Sequence, residues 1–235
     1  MEKHPDYATH GGGQVIVPST EESRRSFLRK SAGLAAITAF AALAGCSKDD
    51  DNNHNGLNLG SGDIGILNYA YALEQLEAAF YTMVISTPYS GITATEAALL
   101  KDIRDHEIAH REFFKNALGS NAIPALELNL SSVNFNDRAS VLNTAKAFED
   151  LGVSAYNGAG KLITSKDNLL LAGKIVSVEA RHAAWIRDVI NPGSFADNTA
   201  VNAQGLDLAR TPNEVLNAAR GFFKTKLSAA NLPTS

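Results

Sequence analysis

A doubled pattern of acids, imidazoles and phenols limits what this chain can fold into more than any other feature does. Glu74 is followed seven residues on by Tyr81, and Glu107 is followed three residues on by His110. The same two spacings return in the same order, as Glu149 with Tyr156 and Glu179 with His182. With six histidines and six tyrosines in 235 residues, either pairing at a fixed offset is expected less than once by chance. Each occurs twice, so the pattern reads as an internal duplication. Residues three apart share one face of a helix. A helical Glu-x-x-His therefore sets a carboxylate and an imidazole side by side. Seven residues are two turns, so each tyrosine stands roughly 10 Å along the axis from the glutamate before it.

The segments that carry these pairs have helical period. Residues 63–85 place Ile66, Leu67, Tyr69, Ala70, Leu73, Leu76, Phe80 and Val84 at that spacing. A second helix is predicted from Thr93, which with Glu96 forms a capping box, to about Gly119. A third follows the N-cap Asp137 to about residue 163, and a fourth spans 167–190, closed by Asn191-Pro192-Gly193. A shorter fifth opens at Thr211-Pro212 and runs to about residue 227. Short loops make helices one and two, and three and four, antiparallel hairpins. Residues 120–136 between the hairpins are long enough to cross the whole bundle. The expected fold is all-α: a four-helix bundle over 63–190, with one long crossover, and an extension over 191–235 holding the short helix. Residues 193–211 lack a clear period and are expected to pack loosely over it.

Composition adds limits rather than direction. A hydrophobic fraction of 45%, a charged fraction of 20% and a net charge of −4 describe an ordinary soluble domain. They give no reason to expect a nucleic-acid partner. Cys46 is the only cysteine, so the fold has no internal disulfide and rests on its core, on metal, or on both.

Residues 1–45 read as an export signal. Arg24-Arg25 before Phe27-Leu28 resembles a twin-arginine (Tat) motif. The apolar run that follows, residues 32–45, is shorter than the ~20 residues needed to span a bilayer. It ends in Leu43-Ala44-Gly45-Cys46, which resembles a bacterial lipobox with Cys46 as the lipidated residue. Residues 46–62, rich in Asp, Asn, Gly and Ser, are expected to form a flexible tether. Lys48-Asp49-Asp50-Asp51 resembles signals that route lipoproteins to the outer surface; an ordinary solvated linker has the same composition. The expected location is the cell envelope, periplasmic or surface-facing, with the membrane touched only through the lipid.

Two Glu-x-x-His helices plus one glutamate from each of the other two supply six protein ligands for two ions: Glu74, Glu107, His110, Glu149, Glu179 and His182. Four carboxylates balance two divalent cations, which makes their burial tolerable. Carboxylate and imidazole without thiolate suit iron or manganese, and zinc or cobalt would also bind. The glutamates stand among apolar residues (Leu73, Leu76, Phe148, Leu151, Val178, Ala183), where an unpaired charge is costly. Glu77, one turn from Glu74, is a supporting residue or a substitute ligand. His106 points away from the site if Glu107 and His110 point in. Tyr81 and Tyr156 are too far from their own helix's glutamate. They either orient the carboxylate of the opposite half or are plain core tyrosines.

These residues resemble the ferritin-like superfamily, and in particular exported ferritin-like domain proteins related to plant desiccation-associated proteins. The segments 73–81 and 148–157 carry most of the likeness. The resemblance implies that Glu107 and Glu179 bridge the metals, Glu74 and Glu149 are terminal ligands, and His110 and His182 cap one metal each. The superfamily includes ferroxidases, peroxidases, manganese catalases and oxygenases. The favoured expectation is redox chemistry of peroxidase, catalase or ferroxidase type on peroxide, oxygen or iron(II) with two Fe or two Mn ions; a homodimer is the expected assembly. The alternative is a non-catalytic metal-binding or stress-protective envelope protein.

Overall fold

A computed structural model of the chain describes residues 56–234. The export signal, the lipobox and most of the expected tether lie outside the described residues. Four long helices form two hairpins: α1 (Gly62–Ser86) with α2 (Ala94–Leu118), and α3 (Arg138–Gly160) with α4 (Lys166–Ile190). The short α5 spans Pro212–Ala219. Local chemistry sets the ends. Thr93 and Glu96 close a reciprocal capping box on α2, and Asp137 and Ser165 cap α3 and α4 through their side chains. Each cap satisfies backbone donors that a helix start otherwise leaves open.

α1 is the central helix. From Asn68 to Ala78 every residue is buried, because α2, α3 and the crossover cover it on different sides. A helix apolar around most of its circumference is stable only inside a protein. The crossover is strapped to α1 by side chains rather than by regular structure. Asn68 donates to the carbonyls of Leu59 and Asn121 and accepts from the Ile123 N–H. Gln75 accepts from the Leu126 N–H at 2.8 Å. At one end of the bundle, Asp63 accepts from the backbone of Thr164 and Ser165 and from Asn168. Those bonds overcome the cost of desolvation and hold its carboxyl down at about 2.

Several boundaries differ from the sequence reading. α3 stops at Gly160, three residues early, in a turn closed by Leu162 N–H to Ala159 C=O. The fifth helix ends at Ala219, passes through one 3-10 turn, and gives way to the strand β2 (Leu227–Ser228). That strand pairs in parallel with β1 (Leu57–Asn58), and Leu59 is fully buried. The last residues of the expected tether therefore belong to the domain, since a lone pair of leucines gains both a strand partner and a core. Residues 193–211 are anchored rather than loose. Arg187, buried on α4, holds Asp150, Asp197 and Thr199, and the Arg210 N–H donates to the Ser154 carbonyl of α3. None of the described helices is long and apolar enough to cross a membrane.

Candidate metal centre

The bundle brings all six predicted ligands into its middle. Glu74, Glu107, Glu149 and Glu179 are completely buried, and the side chains of His110 and His182 are 13% and 6% exposed. They form two groups, Glu74-Glu107-His110-Glu179 and Glu107-Glu149-Glu179-His182. Within each group, one donor atom per residue lies within 4.8 Å of all the others. Donors bound to one ion at 2.0–2.2 Å are at most roughly 4.4 Å apart, so little adjustment separates these groups from coordination.

The oxygens are divided between the groups. Glu107 turns Oε2 toward His110 Nδ1 at 3.4 Å and Oε1 toward His182 Nδ1 at 2.8 Å. Glu179 does the reverse, with Oε1 at 2.9 Å from His110 Nδ1 and Oε2 at 3.7 Å from His182 Nδ1. Each of these two glutamates thus gives one oxygen to each group. Glu74 and Glu149 each serve a single group, with Oε2 at 3.4 Å from His110 and His182 respectively.

Each remaining oxygen is held by the tyrosine of the opposite half. Tyr81 Oη donates to Glu149 Oε1, and Tyr156 Oη donates to Glu74 Oε1. Both tyrosines are buried. Burial, reinforced by the neighbouring carboxylates, holds both phenols well above their ordinary pKa, so they remain protonated donors. His106, read from sequence as surface or outer layer, stacks on His182 with its Nδ1 2.9 Å from His182 Nε2. The outer nitrogen of that imidazole is therefore occupied, and its Nδ1 faces the carboxylates. Spacing alone could not place His106, because its position depends on how α2 and α4 lie against each other.

The donor atoms fit a metal better than they fit one another. Glu74 Oε2, Glu149 Oε2, both oxygens of Glu107 and Glu179, and Nδ1 of both histidines are buried without a hydrogen bond. The imidazole–carboxylate contacts are short but not aligned as hydrogen bonds. Buried polar atoms in native proteins are almost always paired, and eight orphans converging on two points are what a pair of cations would satisfy. The electrostatics agree. Burial pushes Glu107 up to about 8 and Glu149 up to about 7. Glu179, in contact with both histidines, is driven down to about 2 despite its burial. His182, opposed by burial but facing Glu149, Glu107 and Glu179, rises to about 12, and His110 moves in the same direction. Without metal, the surrounding carboxylates favour the charged form of both imidazoles.

Glu77 is also buried. Desolvation and then repulsion from Glu179, Glu107, Glu149 and Glu74 push its carboxyl well up.

Comparison with known proteins agrees with the fold. No curated protein matches the chain. The family model described as a ferritin-like domain matches residues 62–192, which is more than half of the sequence and includes all four long helices and every residue of the cluster. The chain belongs to the ferritin-like domain family.

Proposed function

We propose that this is an envelope-anchored redox protein whose dinuclear iron or manganese centre acts on peroxide, oxygen or iron(II). The observation that carries the reading is the pair of buried donor groups sharing Glu107 and Glu179. When bound, two adjacent redox-active ions supply electron transfer to or from an O–O bond. The chain's own residues do the rest. Glu107 and Glu179 hold two positions at a fixed separation. His110 and His182 provide one neutral nitrogen to each position once deprotonated. Tyr81 and Tyr156 fix Glu149 and Glu74 by donating to the oxygen turned away from the centre. Phe80, Leu76 and Phe148, all buried in the surrounding core, keep bulk water from competing.

The Arg24-Arg25 motif and the Leu43-Ala44-Gly45-Cys46 sequence support export of the folded protein and lipid anchoring at Cys46. That route lets the metal be loaded before export. Cys46→Ser should move the protein from the membrane to the soluble envelope fraction; full retention in the membrane would remove the anchor from this account.

The activity is tested by mixing the iron- or manganese-loaded protein with peroxide, and separately with iron(II) and oxygen, while following consumption. Rapid multiple turnover is expected with at least one of these. A metal-loaded protein that consumes none of them would instead be the non-catalytic, stress-protective protein in which metal only braces the bundle.

A further inference from the structure

The glutamates, histidines and tyrosines of the centre recur in both halves of the bundle, but Glu77 does not. Glu74 and Glu149 are 75 positions apart, as are Tyr81 and Tyr156. At the same offset, the partner of Glu77 is Gly152. The crossed bonds from Tyr81 to Glu149 and from Tyr156 to Glu74 mean that α1 and α3 pass each other in opposite directions. The midpoint of that crossing falls between Glu77 and Ala78 on α1 and between Gly152 and Val153 on α3. Glu77 therefore lies near the middle of the crossing and has no carboxylate counterpart across it.

Gly152 supplies the room. A Cβ at Gly152 would stand 3.2 Å from Glu77 Oε1 and 3.8 Å from Glu179 Oε2. The first of these is tighter than ordinary contact. The space left by the missing side chain on α3 is entered by the carboxylate from α1, and Glu179 Oε2 borders the same space. Glu77 is only 3% exposed, and an ionised fifth carboxylate among four others is strongly unfavourable unless a cation meets it. The same asymmetry recurs on the histidine side. His106 backs His182, whereas the residue 72 positions on, matching the 72 between His110 and His182, is Val178.

We propose that Glu77 is a fifth carboxylate ligand of the pair, reaching the position on the His182 side through the space left by Gly152, and that it makes the two metal positions inequivalent. This rests on the dinuclear reading above. The four symmetric glutamates and two histidines define two matching positions, and Glu77, which shares the space at Gly152 with the Glu179 oxygen nearer His182, adds to that side alone. His106 adds to the difference by fixing only one of the two imidazoles.

The test is calorimetric titration of manganese(II) into the metal-stripped protein, with electron paramagnetic resonance of the bound ions. The wild-type chain should take two ions in two steps of different affinity. Glu77→Gln should weaken one step at least tenfold, leave the other within about threefold, and alter the resonance spectrum of the loaded pair. Glu77→Asp keeps the charge but withdraws the carboxylate by one methylene, and should weaken the same step. If Glu77 contributed only charge, Glu77→Asp would titrate like wild type, and that result would overturn the proposal. Titration curves and spectra of both variants superimposing on wild type would do the same. Should Glu77→Gln lose its helical circular dichroism, Glu77→Asp alone decides. A wild-type chain that binds no manganese(II) or iron(II) is a different failure, because it removes the dinuclear reading itself.

Discussion

Two kinds of glutamate serve the centre. Glu107 and Glu179 offer both oxygens inward, while Glu74 and Glu149 offer one and have the other held by a tyrosine. Tyr81→Phe removes a buried donor and frees Glu149 to rotate. The expected result is a 10- to 100-fold loss of metal affinity and about 1–3 kcal/mol of stability, measured by metal titration and chemical denaturation. Unchanged affinity would leave Tyr81 as packing alone. The glutamates, histidines and tyrosines that meet here were legible from spacing, because helical period dictates which side chains share a face. His106 beside His182 and Glu77 opposite Gly152 were not legible, since both depend on which turn of one helix crosses which turn of another.

At the scale of elements, close approach rather than propensity decides what the bundle tolerates. Gly158 on α3 lies under the backbone of Arg210, and a Cβ there would stand 1.8 Å from the Arg210 carbonyl oxygen. The overlap is with main chain, so no rotamer relieves it. Gly158→Ala should therefore displace the 193–211 segment, with a cost of roughly 1–3 kcal/mol as overpacking, visible as a lowered Tm and faster proteolysis of that segment. A melting curve unchanged from wild type would contradict this packing. Helix starts were read well because Thr93, Asp137 and Thr211 announce themselves as caps. Ends were read less well. Lys161 follows α3 without any stop signal as strong as the Asn191-Pro192-Gly193 run, and the turn there is set by tertiary contact. The pairing of β1 with β2 joins residues far apart in sequence, and no local pattern marks it.

For the whole molecule, the centre couples folding to pH and, on the proposed reading, to metal. In the metal-free fold Glu107 and Glu149 keep protons up to about 8 and about 7, against 4.5 when unfolded. Folding thus holds extra protons, and this contribution is full below about pH 4.5 and lost as the pH rises through 7 and 8. His182, raised from 6.5 to about 12, acts in the same direction above pH 6.5. Glu179, lowered to about 2, acts only below pH 4.5. The metal-free domain should accordingly lose stability between pH 5 and 8. Metal must displace the same protons to bind, so the rise in Tm on loading should grow across that window. Thermal melts of both forms at pH 5.5, 6.5 and 8 check the two opposite slopes. Parallel slopes would mean that metal does not bind at these carboxylates and imidazoles.

The central claim, two metal ions held between Glu107 and Glu179, is tested most directly by counting. Elemental analysis of the protein purified from its own host should give two iron or manganese ions per folded chain. The same measurement on the Glu107→Ala, Glu179→Ala double variant, still helical by circular dichroism, should give none. Less than one ion per chain in the native protein, or two ions retained by the double variant, would contradict the account.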